Sequence, residues 1–280
     1  MQEHAPHGGE VLTQPRNLVA VVVPHHTTDL TADETISIRH LTKHLGRYDK
    51  YLVCPRGLKV DHHDFAIKRF NDKHFSSVFE YCKLLMSSGF YESFTDYKYI
   101  LIYQLDALVF SDQLLEWCST DLDYIGAPWL KDRNMPEQGF SSVGNGGLSL
   151  RKVESHIKVL HAPGNVIDPV AYWEEFCLHN SRLSQLFNLH KKYLKRLEIF
   201  SDVKWYSRHP HDMEDVFWGT LAPRLCPEFK VASVKQALRF AFEVAPRYCF
   251  EQSDRQLPFG CHAWNKYDRG FWEPYLLRDY

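Results

Sequence analysis

The chain has 280 residues, of which 33 are Lys or Arg, 35 are Asp or Glu, and 44% are hydrophobic. This length suffices for one large domain whose core needs no disulfide or structural metal. The net charge of −2 disfavours a disordered chain and a nucleic-acid binder that depends on bulk positive charge. No apolar run approaches the ~20 residues of a membrane-spanning helix, so we expect at most peripheral membrane contact.

Two further features bear on the cellular compartment. Residues 1–16 are polar, predict a flexible tail and lack the apolar core of a secretion signal. Seven cysteines are spread between Cys54 and Cys261 without a CxxC pair, which is typical of reduced thiols and not of a zinc site or a disulfide framework. Both features predict a cytoplasmic protein, for which an enzyme is the first hypothesis.

The first part of the chain predicts a βαβ unit. Residues 17–23 (NLVAVVV) form a β-branched run, which is typical of a parallel strand buried on both faces. Thr31 and Glu34 have the spacing of a capping box at the start of a helix. A second strand over 50–54 then requires a right-handed crossover.

The rest of the chain continues the alternation. It predicts, in order, a loop over 56–73, a helix over 75–90, a strand over 99–103, a helix over 114–118, a strand over 123–125, a loop over 130–142, an edge-like strand over 148–150, helices within 151–209, a helix from 211, a strand over 230–234, a helix over 235–242 and a last strand within 259–264. This pattern predicts an α/β fold with a central, mostly parallel sheet flanked by helices. We expect a single domain over 17–280 with a helical insertion at about 151–210.

Several familiar motifs are missing. No GxGxxG, GxxxxGK[ST], GxSxG or HExxH pattern occurs. These absences disfavour a Rossmann dehydrogenase, a P-loop NTPase, an α/β-hydrolase and a zincin protease.

The clearest candidate site follows the apolar strand YILIY, which ends at Tyr103 and leads into Gln104 and Asp106. α/β folds place ligands at the carboxyl ends of such strands. Mg²⁺ and Mn²⁺ commonly bridge a carboxylate to substrate phosphates. Asp106 is therefore a candidate metal ligand, and capping of the following turn is the alternative.

Two other segments carry candidates for chemistry. Asn145, Gly146 and Gly147 offer backbone N–H groups to a ligand, or they form an ordinary glycine-rich hairpin. The adjacent acids Glu214 and Asp215 either supply a general base or only complement a helix dipole.

The basic candidates also have alternatives. His262 either completes a metal site as a neutral imidazole or is structural. Lys83 either reaches a diphosphate or faces solvent. A basic cluster is formed by Lys191, Lys192, Lys195 and Arg196. It either contacts a membrane surface or an anionic glycan, or it is the solvent-exposed side of a helix.

Taken in order, these segments resemble a glycosyltransferase of the GT-A fold. The similarity is closest to a family of bacterial, viral and fungal proteins of unknown function that are regarded as lipopolysaccharide-type glycosyltransferases. The matching stretches run from residue 21 to about residue 264 and are VVVPHHTTDLTADE, FSSVFEYCKLLMSSGFYESFTDYKYILIYQLDALVF, DYIGAPW, VGNGGLSLRK, EDVFW and LPFGCHAW. Each stretch is weak alone, and the ordered set is specific.

The resemblance implies a metal-assisted donor site. YILIYQLDALVF is similar to the strand that ends in the Asp-x-Asp metal motif, with Gln104 in the first Asp position and Asp106 in the second. Gln is a weaker, neutral ligand, so this departure implies a low metal affinity or reliance on Asp106 and His262. GCHAW resembles the late segment in which retaining members place a histidine ligand. The implied cofactors are Mn²⁺ or Mg²⁺ and a nucleotide-sugar donor, with UDP as the expected nucleotide.

The resemblance also assigns roles to the remaining candidates. Pro24 and His25 would lie beside the uracil, and Tyr103 ends the donor-site strand. Lys83 stands in place of the Arg of a Tyr-x-Arg-Leu helix.

Two later segments also receive roles from the resemblance. Asn145, Gly146 and Gly147 match a segment that contacts the donor sugar and the acceptor. EDVFW resembles the Glu-Asp-Val motif of inverting transferases.

The implied reaction moves a sugar from a nucleotide diphosphate to a hydroxyl of a glycan acceptor, which can be lipid-linked. A cation would stabilise the charge that grows on the diphosphate. Asp215, or Glu214, would accept the proton of the attacking hydroxyl. The Glu-Asp-Val motif favours inversion and the late histidine favours retention; we expect inversion because a base candidate is present.

Three alternatives stay open. A non-catalytic sugar-binding module would use Trp129, Trp218 and Trp264 as stacking platforms. A degenerate transferase would have lost activity through Gln104. A glycoside hydrolase would use two carboxylates without a nucleotide. Dependence on a nucleotide sugar distinguishes the active transferase from all three.

Overall fold

The computed structural model describes residues 17–60, 64–164, 166, 168–194, 202–210 and 212–278. The expected flexible tail at 1–16 and the basic residues Lys195 and Arg196 lie outside the described residues.

The strands are short outside the first sheet. In chain order they are β1 (Asn17–Pro24), β2 (Asp49–Pro55), β3 (Ala66–Phe70), β4 (Tyr97–Tyr103), β5 (Leu108–Val109), β6 (Tyr124–Ile125), β7 (Pro128–Leu130), β8 (Phe140–Val143), β9 (Leu148–Lys152), β10 (Ala241–Phe242) and β11 (Gly260–Cys261).

The helices lie between and after these strands. They are α1 (Ala32–Leu45), α2 (Val78–Leu85), α3 (Ser88–Glu92), α4 (Leu114–Ser119), α5 (Val153–Leu160), α6 (Pro169–His179), α7 (Arg182–Phe187), α8 (Leu189–Leu194), α9 (Val203–Arg208), α10 (Glu214–Val216), α11 (Ala222–Leu225), α12 (Val234–Phe240), α13 (Pro246–Gln252) and α14 (Arg269–Trp272). A π-helical turn (Phe217–Leu221) joins α10 to α11.

The central sheet has the strand order β3-β2-β1-β4-β9-β6. β3, β2, β1 and β4 are parallel neighbours, whereas β9 runs antiparallel to both β4 and β6. The chain builds outward from β1 to β3 on one side and then returns to place β4 on the other side of β1. Loops that leave the carboxyl ends of β1 and β4 therefore diverge, and such a switch point is where open α/β sheets bind ligands.

Helices cover both faces of this sheet, as the unbroken apolar run in β1 requires. Val21 and Val23 pack in a cluster with Leu41 of α1. Val22 points to the opposite face and joins a cluster with Leu84 of α2. The predicted α/β fold with a central, mostly parallel sheet flanked by helices is confirmed. The capping box of Thr31 and Glu34 is present at the start of α1.

Four of the predicted elements are wrong in detail. The expected loop at 56–73 contains β3, and the expected loop at 130–142 contains the start of β8. β9 is not an edge strand, because it lies between β4 and β6. The expected strand at 230–234 is reduced to one bridge, between Tyr124 and Val231, before α12 begins.

The physical reason is that short or exposed strands lack a strong apolar pattern. β3 is the edge of the sheet and is largely exposed, with two cations, Lys68 and Arg69, at its centre. Charged edge strands of this kind resist pairing with other chains. Their sequence consequently resembles a polar loop.

The region 151–209 is helical in its described parts, with α5 to α9. Within it, α6, α7 and α8 pack chiefly against one another. In the described chain, no helix combines the length and the apolar character that crossing a bilayer requires.

His40 of α1 is a buried histidine whose two ring nitrogens both have backbone partners. Nε2 accepts the N–H of Leu277 at 3.0 Å, and Nδ1 lies 2.8 Å from the carbonyl oxygen of Val109. A ring that accepts at Nε2 and donates from Nδ1 is neutral. Burial lowers the pKa of His40 to about 4, although the hydrogen bond to Val109 opposes the change.

We expect this histidine to make the protein less stable in acid. Its folded pKa lies below the unfolded value of about 6.5, so its contribution is present above about pH 6.5 and is lost as the pH falls towards 4. The free energy of unfolding should drop by about 2 kcal/mol between about pH 7 and about pH 5 from this group alone. Urea titrations of the wild type and of His40→Asn measure the effect. Equal acid losses in the two proteins would contradict it.

Candidate active site

A cavity of about 600 Å³ opens at the carboxyl ends of β1 and β4. It is lined by Pro24, His25, His26, Thr31, Glu34, Phe75, Ser76, Ser77, Val78, Tyr81, Gln104, Leu105, Asp106 and Asn265. Four of the predicted donor-site residues are therefore together in one cavity: Pro24, His25, Gln104 and Asp106. We call it the donor cavity.

The turn after β4 positions Asp106. The N–H of Gln104 donates to the carbonyl of Gly147 at 2.8 Å, and the N–H of Ala107 donates to the carbonyl of Gln104 at 2.8 Å. The Tyr103 side chain points away from the cavity: it is buried, and its hydroxyl lies 3.0 Å from the carbonyl of Ala107. Tyr103 thus anchors the strand end and does not line the donor cavity.

His262 contacts both the turn after β4 and Glu243, which follows β10. The backbone of β11 pairs antiparallel with β5, and this pairing brings the residue after Cys261 next to Asp106. His262 Nε2 lies 3.2 Å from Asp106 Oδ1 and 3.2 Å from Gln104 Oε1, while Nδ1 lies 3.3 Å from Glu243 Oε1. The predicted pair of Asp106 and His262 is therefore in direct contact.

Asp106, His262 and Glu243 form a cluster in which the charges of the carboxylates and of the imidazolium stabilise one another. Burial by itself lowers the pKa of His262, but the carboxylates of Asp106 and Glu243 outweigh that effect and raise the pKa to about 10. Burial by itself raises the pKa of Asp106, and the nearby imidazolium reverses that effect and lowers the pKa. In the protein alone, His262 is consequently an imidazolium held between two carboxylates.

The distances of His262 Nε2 from Asp106 Oδ1 and from Gln104 Oε1 are compatible with ligands of one divalent cation. Two ligands on adjacent octahedral positions, each about 2.1 Å from the ion, lie about 3.0 Å apart. The separations of His262 Nε2 from Asp106 Oδ1 and Gln104 Oε1, both 3.2 Å, are close to that value. Among the described residues no group of three or more His, Cys, Asp and Glu side chains is arranged to hold a metal ion. A third protein ligand would therefore be the amide oxygen of Gln104.

The glycine-rich segment lies against this cluster and depends on its residue types. Asn145 is buried and has a left-handed backbone, with φ of 71°. Its Oδ1 accepts the N–H of Gly147 at 3.0 Å, and its Nδ2 has no hydrogen-bond partner among the described residues. A Cβ on Gly147 would overlap the imidazole of His262, and a Cβ on Gly146 would overlap the carboxylate of Glu214. The segment thus brings the backbone close to the site and leaves one buried amide donor for a ligand.

Glu214 and Asp215 have different surroundings although they are adjacent. Glu214 is buried, and its Oε1 accepts from Arg151 Nη2 at 2.9 Å. Burial raises the pKa of Glu214, and the guanidinium opposes that rise. Asp215 instead lines a second cavity and accepts from the N–H groups of Asn145 at 3.2 Å and Val216 at 2.9 Å.

The second cavity has a volume of about 340 Å³ and is lined by Pro128, Trp129, Leu130, Arg133, Ser141, Met213, Asp215, Val216, Glu243 and Val244. Burial, followed by the nearby charge of Glu243, raises the pKa of Asp215. Trp129 lies against the backbone of Gly144, where any Cβ would overlap the indole. This cavity, which we call the acceptor cavity, therefore combines a half-buried carboxylate with an aromatic surface.

Glu243 is the functional candidate that the sequence did not reveal. It contacts His262, which in turn contacts Asp106 of the donor cavity, and it lines the acceptor cavity, so Glu243 and His262 connect the two cavities. No motif marks it, because its position depends on the pairing of β10 with β11.

Other predicted residues lie away from these cavities. Lys83 Nζ bonds Glu80 Oε1 within α2 at 2.6 Å, and Lys83 does not line either cavity. Trp218 and Trp264 are fully buried in the core. Of the three predicted stacking tryptophans, Trp129 alone lines a described cavity.

The model of one protein family covers most of this region. A family described as "Protein of unknown function (DUF5672)" matches residues 64–262. The chain belongs to the DUF5672 family. The matched range contains every element of the site from α2 to His262 and excludes β1 with Pro24 and His25. No curated protein matches this DUF5672 member.

Solved glycosyltransferase structures are similar in part to the fold of this chain. GlyE of Streptococcus pneumoniae TIGR4 is 13% identical with a TM-score of 0.44, and the alignment covers 94% of the DUF5672 chain and 61% of GlyE. A glycosyltransferase involved in glycosylation of the major capsid of PBCV-1 is 10% identical over 88% and 92% of the two chains, with a TM-score of 0.42. An active-site mutant of LgtC is 12% identical over 87% and 86%, with a TM-score of 0.44.

Proposed function

We propose that this protein is a glycosyltransferase that moves a sugar from a nucleotide-diphosphate sugar to a hydroxyl of a glycan. The observation that supports this proposal is the contact between Asp106 and His262 at the switch point of the sheet, where the donor cavity opens. Phosphate-bearing ligands bind at this edge of open α/β sheets. A cavity of about 600 Å³ has the size of a site for a nucleotide-sized ligand.

In this proposal the donor lies across the cavity with its nucleotide beside Pro24 and His25, and UDP is the expected nucleotide. Asp106 and His262, with Gln104, would hold Mn²⁺ or Mg²⁺, and the His262 imidazolium would have to lose its proton to become a ligand. Such an ion neutralises charge on a diphosphate leaving group. The donor sugar would lie next to the segment of Asn145, Gly146 and Gly147, as the resemblance implies. The expected low metal affinity follows from the neutral Gln104 ligand.

The acceptor hydroxyl enters from the acceptor cavity and faces Asp215. Because the pKa of Asp215 is raised, its carboxylate is a better proton acceptor than an exposed aspartate. The proton of the hydroxyl passes to Asp215 as its oxygen bonds to the anomeric carbon and the bond to the diphosphate breaks. Attack from the face opposite the leaving group inverts the anomeric centre. Trp129 offers the acceptor glycan a stacking surface.

The alternatives draw less support from the structure. A sugar-binding module loses two of its three predicted platforms, since Trp218 and Trp264 are buried. A glycoside hydrolase does not account for the donor cavity beside Asp106. The proposed reaction also carries two expectations from the sequence, a cytoplasmic location and a glycan acceptor that can be lipid-linked.

A thermal-shift experiment tests the donor site. UDP-sugars with Mn²⁺ should raise the melting temperature by about 5 °C or more at roughly 100 times Kd. Asp106→Asn should abolish the part of the shift that depends on Mn²⁺, because it removes the anionic ligand but keeps the side-chain volume.

The exposed acid Glu137 provides the matched control, since Glu137→Gln removes the same charge from a side chain that lines neither cavity and should leave the shift intact. Absence of a shift with every UDP- or dTDP-linked sugar, with and without Mn²⁺, would refute the donor-site assignment.

A further inference from the structure

Asn265 lines the donor cavity, and its side-chain amide is oriented by the protein itself. Its Nδ2 donates to Asp33 Oδ2 at 3.2 Å. In the opposite orientation the amide oxygen would face the carboxylate oxygen, and two acceptors at that distance repel each other. The hydrogen-bond pattern therefore assigns the orientation: the amide nitrogen is bound to Asp33, and Oδ1 is the acceptor that is left for a ligand.

Asp33 is held in place by a second partner, Arg269. Nη1 of Arg269 lies 2.9 Å from Asp33 Oδ1 and 2.8 Å from Asp33 Oδ2. The same guanidinium donates from Nε to Glu273 Oε1 at 2.9 Å and lies 4.6 Å from the ring centroid of the buried Trp264. An isolated exposed ion pair contributes little, whereas a network that is fixed at several points holds its members in one geometry. Asp33 is thus a preorganised acceptor for the amide of Asn265.

The backbone that carries Asn265 is also fixed. The N–H of Trp264 donates to the carbonyl of Asp106 at 3.2 Å, so the turn after β11 is attached to the turn after β4. Ala263 and Asp268, at the two ends of the later turn, both have left-handed backbones with φ of 49°. Such conformations are uncommon outside glycine and persist where the surrounding structure enforces them, often at binding sites. The turn therefore presents Asn265 in a defined position.

Asn265 lies between the two ends of the proposed donor. Its side chain is bonded to Asp33 in the first turn of α1, which follows β1, and β1 ends at Pro24 beside the expected nucleobase. Its neighbour Trp264 is bonded to Asp106 at the end of β4, beside the expected diphosphate. In a nucleoside diphosphate the ribose joins the base to the phosphates, and its hydroxyls can donate hydrogen bonds.

We propose that Asn265 accepts a hydrogen bond from a ribose hydroxyl of the nucleotide through Oδ1, and that Asp33 and Arg269 are positioning residues for its amide. This inference rests on the proposed function, in which the cavity holds a nucleotide-diphosphate sugar. A site that hydrogen-bonds a hydroxyl discriminates against the analogue that lacks it. Asn265 would consequently favour ribonucleotides over nucleotides without ribose hydroxyls.

Calorimetric titration of the full chain with UDP and with dideoxy-UDP, which lacks both ribose hydroxyls, tests this contact. The wild type should bind UDP more tightly than dideoxy-UDP. Asn265→Leu removes the acceptor at similar volume, so it should lower the affinity for UDP by about 3- to 10-fold and leave that for dideoxy-UDP unchanged. Equal losses for the two ligands, or no loss for either, would overturn the assignment.

Two further variants separate positioning from a general structural effect. Arg269→Met removes the partner of Asp33 and should weaken UDP binding by about 2- to 5-fold without affecting dideoxy-UDP. If Arg269→Met weakens both ligands equally, or neither, Arg269 is not a positioning residue. Asn134→Leu makes the same replacement at an exposed asparagine that lines neither cavity, and it should leave both affinities unchanged.

Binding and transfer give separate results in this experiment. A wild type that prefers UDP over dideoxy-UDP through Asn265, but transfers no sugar from any nucleotide sugar, would refute the proposed function and leave the ribose contact standing. A wild type that binds neither ligand, with or without Mn²⁺, would refute the ribose contact together with the donor site. A wild type that transfers sugar while Asn265→Leu binds UDP normally would refute the ribose contact alone.

Discussion

Replacing Asp215 with Asn should lower the rate of sugar transfer by about 10²–10⁴-fold while donor affinity stays close to that of the wild type. Asn keeps the volume of the side chain, and its one oxygen can accept from one of the two backbone N–H groups, of Asn145 and Val216, that bond separate oxygens of Asp215. It cannot accept the proton of an attacking hydroxyl. The loss should therefore appear in kcat, and the thermal shift with donor should persist.

The pH dependence gives this prediction a second readout. Because burial and Glu243 raise the pKa of Asp215, the ionised base forms at a higher pH than in an exposed aspartate. The rate should rise with pH through that raised pKa, and the rising limb should be absent from the residual activity of Asp215→Asn. Release of the nucleotide from each UDP-sugar in the presence of glycan acceptors measures both effects.

Asp212 supplies the matched control for this experiment. It is an exposed acid three residues earlier in the same segment, so Asp212→Asn should leave kcat unchanged. If Asp215→Asn transfers sugar at the wild-type rate to an acceptor that the wild type uses, the carboxylate is not the base and the inverting mechanism fails with it.

Part of the cavity at the ends of β1 and β4 could be located from the sequence because local patterns mark its residues. The unbroken apolar strand places Gln104 and Asp106 at its carboxyl end, and the structure puts both in the donor cavity. The capping box at Thr31 and Glu34 marks the start of α1 in the same way. Gly147 was found through its residue type, and the structure supplies the reason, which is the close approach of His262.

The directions of single side chains could not be predicted. The sequence left Lys83 with two alternatives, a diphosphate contact or exposure to solvent, and the structure pairs it with Glu80 one turn earlier in the helix. Tyr103 belongs to the strand that ends at the site, yet strand side chains alternate and this one faces the core.

Glu243 was missed because its neighbourhood exists only in the folded chain. β10, β11 and β5 are each two residues long and come from distant parts of the sequence. Such strands have too few residues for a periodic pattern. Their pairing alone brings Glu243 to His262 and makes one wall of the acceptor cavity.

Replacing Arg151 with Met should lower the free energy of unfolding by about 3–5 kcal/mol. The guanidinium is fully buried, with Nε donating to Ser149 Oγ at 3.0 Å, Nη1 to Tyr91 Oη at 3.0 Å and Nη2 to Glu214 Oε1 at 2.9 Å. Met fills much of the volume but satisfies none of these acceptors. The buried carboxylate of Glu214 would then lack its counter-ion, and urea denaturation should record the loss.

The double variant separates the charge from the packing. Removing both ions with Arg151→Met and Glu214→Leu leaves no buried unpaired charge, so its stability should recover by about 1–3 kcal/mol relative to Arg151→Met alone. No recovery would show that hydrogen bonds to Tyr91 and Ser149, and not the ion pair, account for the loss.

The ion pair of Arg151 with Glu214 distinguishes Glu214 from the adjacent acid Asp215. Successive residues of a helix point about 100° apart, so Glu214 faces Arg151 in the core while Asp215 faces the acceptor cavity. Glu214→Gln should consequently destabilise the fold, because it leaves the guanidinium without a counter-ion, and Asp215→Asn should impair transfer while lowering the unfolding midpoint far less, because it loses one acceptor for a backbone N–H. A Glu214→Gln protein with wild-type stability and no transfer activity would reverse the assignment and make Glu214 the base.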